Sequence, residues 1–114
     1  MHELSIMTSI LDIAEEHARA AGAHKVLAIH VVVGERSGFV DDSLLFYFDS
    51  LSAGRLAAGA KLCIRRTPMR FFCATCNTEY TPPVSSFRCP TCNTTGRLQD
   101  DGTNCYIEQM EIET

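Results

Sequence analysis

Apolar side chains recur three and four residues apart near the start of the chain, at Leu4, Met7, Ile10, Leu11, Ala14, Ala18 and Ala21. Asp12, Glu15, Glu16 and Arg19 fall on the opposite side, so the spacing predicts an amphipathic helix over residues 4–21. Gly22 follows as the residue that tolerates the left-handed conformation at a helix end. His17 lies on the flank and reads as a surface residue. From Lys25 to Val33 the period becomes two. Leu27, Ile29, Val31 and Val33 alternate with Val26, Ala28, His30 and Val32 in a β-branched run, which predicts a strand. The first set is the expected inward face. The second is semi-polar and suits solvent or a dimer contact, with His30 an exposed strand residue rather than a ligand.

Residues 34–38 read as a loop, after which Asp41 can cap a second helix whose Leu44, Leu45, Phe48 and Leu51 share one face. Gly54 ends that helix, and Arg55 to Ala60 reads as a small, flexible link. Lys61 to Thr67 sets Leu62 and Ile64 against Lys61, Cys63 and Arg65, a second strand that Pro68 stops. Asp100, Asp101 and Gly102 signal a turn, and Asn104 to Glu113 reads as a third strand. Its alternation slips, because Cys105 and Ile107 are out of phase with Met110 and Ile112. A bulge near Glu108 and Gln109 repairs the phase. The strands before and after residues 69–99 are expected to be antiparallel neighbours, with the intervening lobe inserted at the far end of a hairpin.

That lobe holds the strongest motif. Cys73 and Cys76 form one C-x-x-C pair and Cys89 and Cys92 a second, with twelve residues between the pairs. Each spacing lets a tight turn aim two sulfurs at one ion, and two facing turns complete a closed tetrahedral zinc site. Pro90 favours the second turn. Two disulfides or a redox C-x-x-C are the rival readings, and a lone redox motif has no need of a matched second pair. Tyr80, Pro82, Pro83, Val84 and Phe87 are too few to make a core, so the metal must fold the lobe, contributing on the order of 10 kcal/mol.

At 114 residues the chain is one small domain, or one with a smaller lobe. It has no membrane-spanning apolar run, and its opening residues lack the basic and apolar regions of a secretion signal. A cytoplasmic protein is expected, where thiols stay reduced; this favours zinc and leaves Cys63 and Cys105 as free thiols. The net charge of −4 is uneven: residues 65–97 carry Arg65, Arg66, Arg70, Arg88 and Arg97 against Glu79, a balance of +4, leaving −8 elsewhere. Four thiolates on a dication subtract two from that lobe. The remaining excess suits an acidic protein partner as well as nucleic acid.

His2 offers a second site. The amine of Met1, the backbone amide and imidazole of His2 and the amide of Glu3 form consecutive chelate rings of the planar nitrogen kind that Ni(II) and Cu(II) favour. The Glu3 carboxylate would adjust orientation or charge. A histidine beside a chain start is commonly only a surface residue, so both readings stand on the residues alone.

The opening Met1-His2-Glu3-Leu4-Ser5, the strand exit Val33-Gly34-Glu35 followed by Ser37-Gly38, Gly59-Ala60 before a strand and the paired C-x-x-C motif together resemble the HypA/HybF hydrogenase maturation proteins. The resemblance runs through the whole chain. It implies a nickel metallochaperone and no enzyme: Ni(II) bound transiently by Met1, His2 and Glu3, and structural Zn(II) by Cys73, Cys76, Cys89 and Cys92. Its partners would be the HypB GTPase and the [NiFe]-hydrogenase large subunit, with a homodimer also allowed and no membrane or nucleic acid involved. The implied fold class is α+β, a small unit of two helices and a three-stranded mixed sheet with an inserted zinc-ribbon-like lobe. Residues 1–68 and 100–114 would form the nickel-binding part and 69–99 the zinc-binding part. Arg36 departs from the leucine common after Gly-Glu, and His30, Cys63 and Cys105 depart on the outer strand faces. The rival classes are a zinc-ribbon module that binds nucleic acid or protein, and a thiol oxidoreductase. The acidic total charge and the lack of an aromatic and basic stripe speak against the first.

Overall fold

The computed structural model describes residues 3–82 and 86–114. Helix α1 (Glu3–Ala20) closes in a Schellman arrangement. The Ala23 N–H reaches Ala18 O at 2.9 Å and the Gly22 N–H reaches Arg19 O at 3.0 Å, with Gly22 at φ 76°. Strand β1 (Lys25–Gly34), helix α2 (Asp41–Ser52) and strand β2 (Lys61–Thr67) follow. Because β1 and β2 are parallel, the chain must cross over between them, and α2 is that crossover. Strand β6 (Cys105–Glu113) takes the other edge of β1, antiparallel, so the sheet order is β2-β1-β6.

The expected hairpin is therefore corrected. The strands on either side of residues 69–99 do not pair; β1 lies between them, because the crossover already fills one of its edges. Both still meet β1 at its C-terminal end, where Gly34 faces Thr67 and Val33 faces Cys105. From that end projects a second sheet, in the order β4-β3-β5, of β3 (Arg70–Cys73), β4 (Thr78–Tyr80) and β5 (Arg97–Asp100). The radius of gyration is 17.6 Å, against about 13 Å for a single compact body of this length. The molecule is an α+β unit with a protruding lobe, as expected. Among the described residues no helix is long and apolar enough to cross a membrane.

The chain crosses itself tightly where the lobe joins. The Gly34 N–H donates to Asn104 O at 2.7 Å and the Arg36 N–H to Gly102 O at 2.7 Å. A Cβ at Gly34 would lie 2.1 Å from Gly102 O, so no other residue fits. The Arg36 guanidinium reaches over this crossing to Met69 Sδ at 3.1 Å and Asp101 O at 3.5 Å. The departure from leucine thus places a brace across both connections to the lobe.

The core lies between the helices and one face of the first sheet, where Met7, Leu11, Val26, Ile29, Leu44 and Phe48 are buried. On β1 the expected faces hold only in part: Leu27 is 41% exposed and Val26 fully buried. The register with β6 shifts between Val26 and Ala28, which leaves Leu27 as an extra residue and flips the phase. A second shift, with His30 opposite Gln109 and Val31 opposite Ile107, makes Glu108 the extra residue on β6. This is the bulge expected near Glu108 and Gln109. It lets Cys105, Ile107, Met110 and Ile112 all pack on the core.

Leu4 and Leu45, expected among the buried positions, are exposed at the margins of their helices. Asp41 is not a cap. Val40 holds that position without a side-chain bond, and the Asp41 carboxylate accepts instead from Arg66. Arg55 to Ala60, read as a flexible link, folds into hydrogen-bonded turns around the fully buried Ala57. Glu15, placed on the polar side of α1, is 5% exposed and binds this segment.

Candidate metal centres

The two C-x-x-C turns sit at homologous points of the lobe. Cys73 ends β3, and the turn to Cys76 is followed by Asn77 at φ 55°; Cys89 begins the second turn, and Cys92 is followed by Asn93 at φ 60°. Asparagine tolerates this left-handed conformation, which bends the chain back after the second sulfur. In the second turn the Asn93 N–H donates to Cys89 O at 2.8 Å and the Cys89 N–H to Thr94 O at 2.9 Å. In the first, the Cys76 N–H donates to Cys73 Sγ at 3.5 Å.

The four sulfurs lie within 4.8 Å of one another, and no other such group of metal-binding side chains occurs among the described residues. Two close approaches run between the turns, Cys73 to Cys92 at 3.4 Å and Cys76 to Cys89 at 3.9 Å. A redox C-x-x-C would instead join sulfurs of one turn. Zinc–sulfur bonds of about 2.3 Å in a tetrahedron put sulfurs about 3.8 Å apart, which these distances bracket. The chemistry agrees with the geometry. The Thr94 hydroxyl and N–H hold the Cys92 thiol down at about 6, and the Cys92 and Thr91 N–H groups lower Cys89. Beside them Cys76 is pushed up to about 12, by Cys92 first. Four thiols this close ionise together only around a cation, so the cluster is a metal site, with Cys73 and Cys89 its buried members.

Around the cluster the lobe relies on Tyr80, a role that residue patterning missed. Phe71 stacks between Tyr80 and Phe87, at centroid distances of 5.7 and 5.5 Å. The Tyr80 hydroxyl donates to Phe87 O at 2.7 Å and accepts the Gly96 N–H at 2.9 Å. Pro83 and Val84 lie outside the described residues. The asparagine after each C-x-x-C was the missed signal for the turns. Asn93→Gly should leave metal affinity within a few-fold, whereas Asn93→Val should cost about 1–2 kcal/mol by forcing a branched residue to positive φ. Competition with a chromophoric zinc chelator measures both.

The arginines that suggested a basic surface are mostly engaged. Arg65 pairs with Glu108, Arg66 with Asp41, and Arg70 with Glu79 and Asp100. Arg97 lies over the Phe72 ring, and Arg88 donates to Asn93 O. Cys63 stands on the outer sheet face beside His30, which bonds Glu111 at 2.8 Å. Cys105, expected on an outer strand face, packs on the core instead, and burial pushes its thiol up.

Met1 and His2 lie outside the described residues. Glu3, the third member of the amino-terminal set, opens α1, and its Oε2 accepts the Val40 N–H at 3.1 Å. The start of α1 is thereby tied to the residue that caps α2. His17, His24 and His30 are not part of this corner: His17 is exposed, and the other two pair with glutamates of β6.

A family model described as "Hydrogenase/urease nickel incorporation, metallochaperone, hypA" matches residues 1–112. The chain is 43% identical over 114 residues to the hydrogenase maturation factor HypA of Roseiflexus sp., covering 99% of this chain and 93% of that one. It is 36% identical to HypA of Caldanaerobacter subterraneus, covering 99% and 100%. The solution structure of the Ni metallochaperone HypA from Helicobacter pylori shares the fold, with a TM-score of 0.67 at 24% identity over 98% of this chain and 97% of that one.

Proposed function

The chain belongs to the HypA family of nickel metallochaperones for hydrogenase maturation, and on that premise we propose that it loads Ni(II) at its amino end. The ligands are the Met1 amine, the backbone amide and imidazole of His2 and the amide of Glu3. The observation that carries this reading is that the family match starts at residue 1, so that Met1, His2 and Glu3 fall inside it. A metallochaperone is not an enzyme; it must hold its cargo and then give it up. A site built from a terminal amine and backbone nitrogens is open and exchanges ligands readily. The four-cysteine cluster, which we assign to zinc, is enclosed and stays loaded.

The same reading divides the chain into a nickel-binding part, residues 1–68 and 100–114, and a zinc-binding part, residues 69–99. Nickel passes to the [NiFe]-hydrogenase large subunit with the help of the HypB GTPase, in the cytoplasm. The internal pairing of Arg65, Arg66 and Arg70 supports this over a nucleic-acid module, since charges held by neighbouring carboxylates are poorly placed to meet phosphates.

Titration of untagged, zinc-loaded protein with Ni(II) tests it. One equivalent should bind with the visible absorption of a planar nitrogen site, and His2→Ala should lose that binding while keeping its zinc. Loading should also weaken in acid, because a protonated imidazole or amine cannot ligate. Equal binding by both proteins would dismiss His2 and turn attention to Cys63 and Cys105.

A further inference from the structure

We propose that Arg66 is the positioning residue of the amino-terminal nickel site, acting on Glu3 through the Phe39–Val40 peptide group. The proposal rests on the nickel-loading reading above. Arg66 stands on β2 with its side chain 27% exposed. Its Nε and Nη2 reach Asp41 Oδ1 at 2.9 and 2.6 Å, its Nη1 donates to Gly34 O at 3.1 Å, and Nη2 also donates to Phe39 O. One guanidinium thus pins the loop before α2 at its start, near its end and at the first helical residue.

The bond to Phe39 O carries the inference. That oxygen and the Val40 N–H belong to the same peptide group, and the N–H is the donor that Glu3 Oε2 accepts. A cation on the oxygen polarises the peptide and strengthens its N–H as a donor. It also fixes the peptide plane, and with it the direction in which the N–H meets the start of α1. Glu3 is therefore oriented before metal arrives, which lowers the ordering cost of closing chelate rings at residues 1–3. A plain Arg66–Asp41 ion pair, partly exposed, would contribute little and would need no bond to Phe39 O.

The test compares Ni(II) binding by untagged, zinc-loaded wild type, His2→Ala, Arg66→Lys, Glu3→Ala and the double variant Arg66→Lys/Glu3→Ala. Zinc content and melting temperature report on the fold. Lysine keeps the charge but loses the planar fork. Arg66→Lys should retain its zinc, raise the Kd for Ni(II) about tenfold and shift the visible band of the bound metal. Its loss should not add to that of Glu3→Ala, which removes the acceptor, because both act on one contact. Exchange of the Val40 amide, which needs no nickel, should quicken about tenfold in Arg66→Lys. Arg66→Gln, with a planar donor group, replaces the lysine variant should that one not fold. Unchanged affinity and unchanged Val40 exchange, or losses that simply add, would overturn the proposal. If His2→Ala binds nickel as wild type does, the amino-terminal reading falls and the role of Arg66 with it, a pattern distinct from failure of Arg66 alone.

Discussion

Removing the metal from Cys73, Cys76, Cys89 and Cys92 will unfold β3, β4 and β5 while α1, α2 and the first sheet stay folded. Ordering the backbone of residues 69–99 opposes folding of the lobe through lost conformational entropy. Against this it buries little: Phe71, Cys73 and Cys89 are its buried apolar residues among those described, while Phe87 and Leu98 are 54% and 50% exposed. A buried phenylalanine contributes about 3 kcal/mol at most, and strands of four, three and four residues add few ladder bonds. The ion, contributing on the order of 10 kcal/mol or more, decides the balance. The helical unit has its own core and meets the lobe at the crossing of Gly34, Arg36 and Gly102. Chelation, or Cys89→Ser, should therefore collapse the amide signals of residues 70–100 in a two-dimensional NMR spectrum. The far-UV helical signal should persist. A lobe that kept its dispersed signals without metal would show that the Phe71, Tyr80 and Phe87 stack suffices.

What the sequence revealed follows from what is local. The helices and strands were visible because their periods differ, and the bulge at Glu108 because a register slip leaves a mark in the alternation of Cys105, Ile107, Met110 and Ile112. The metal cluster was visible because two-residue spacing between cysteines is itself a geometry. Partners distant in sequence were not visible. Nothing in the run of β1 states that α2 will carry the chain to one of its edges, so β2 and β6 were paired with each other instead of with β1. The Asn77 and Asn93 turns were local and could have been read, since an asparagine follows each C-x-x-C. The guanidinium of Arg66 meeting the Phe39–Val40 peptide spans twenty-seven positions. No pattern of spacing announces it.

Glu15 shows how a charge can be buried where the helical pattern reads it as solvent-facing, and its loss should be felt across the helical unit. Its carboxylate accepts the Arg55 Nε–H at 2.9 Å and a second guanidinium bond, and the Leu56 N–H at 3.0 Å. The Leu56 carbonyl in turn accepts the Val26 N–H at 3.0 Å, so one side chain on α1 fixes the link that enters the sheet beside β1. Glu15→Ala would leave the Leu56 N–H without its acceptor and Arg55 with Asp12 alone. Breaking a buried pair from one side costs about 3–5 kcal/mol, and because Asp12 remains for Arg55 the lower end applies. That lowers the melting temperature by roughly 10 °C or more, read from the far-UV helical signal. Glu15→Gln separates charge from shape, because the amide oxygen can still accept from Leu56. The hydrogen bond from Arg55 holds the Glu15 carboxyl below the ordinary carboxylate range in the folded protein. A folded value below the unfolded one stabilises the protein above the unfolded value, about 4.3, and this stability is lost as pH falls through the folded value. Wild type should melt well above Glu15→Gln at pH 7, and the gap should close in acid as the carboxylate takes up its proton. If the gap were the same at both ends of that range, the carboxylate charge would not be what holds the link.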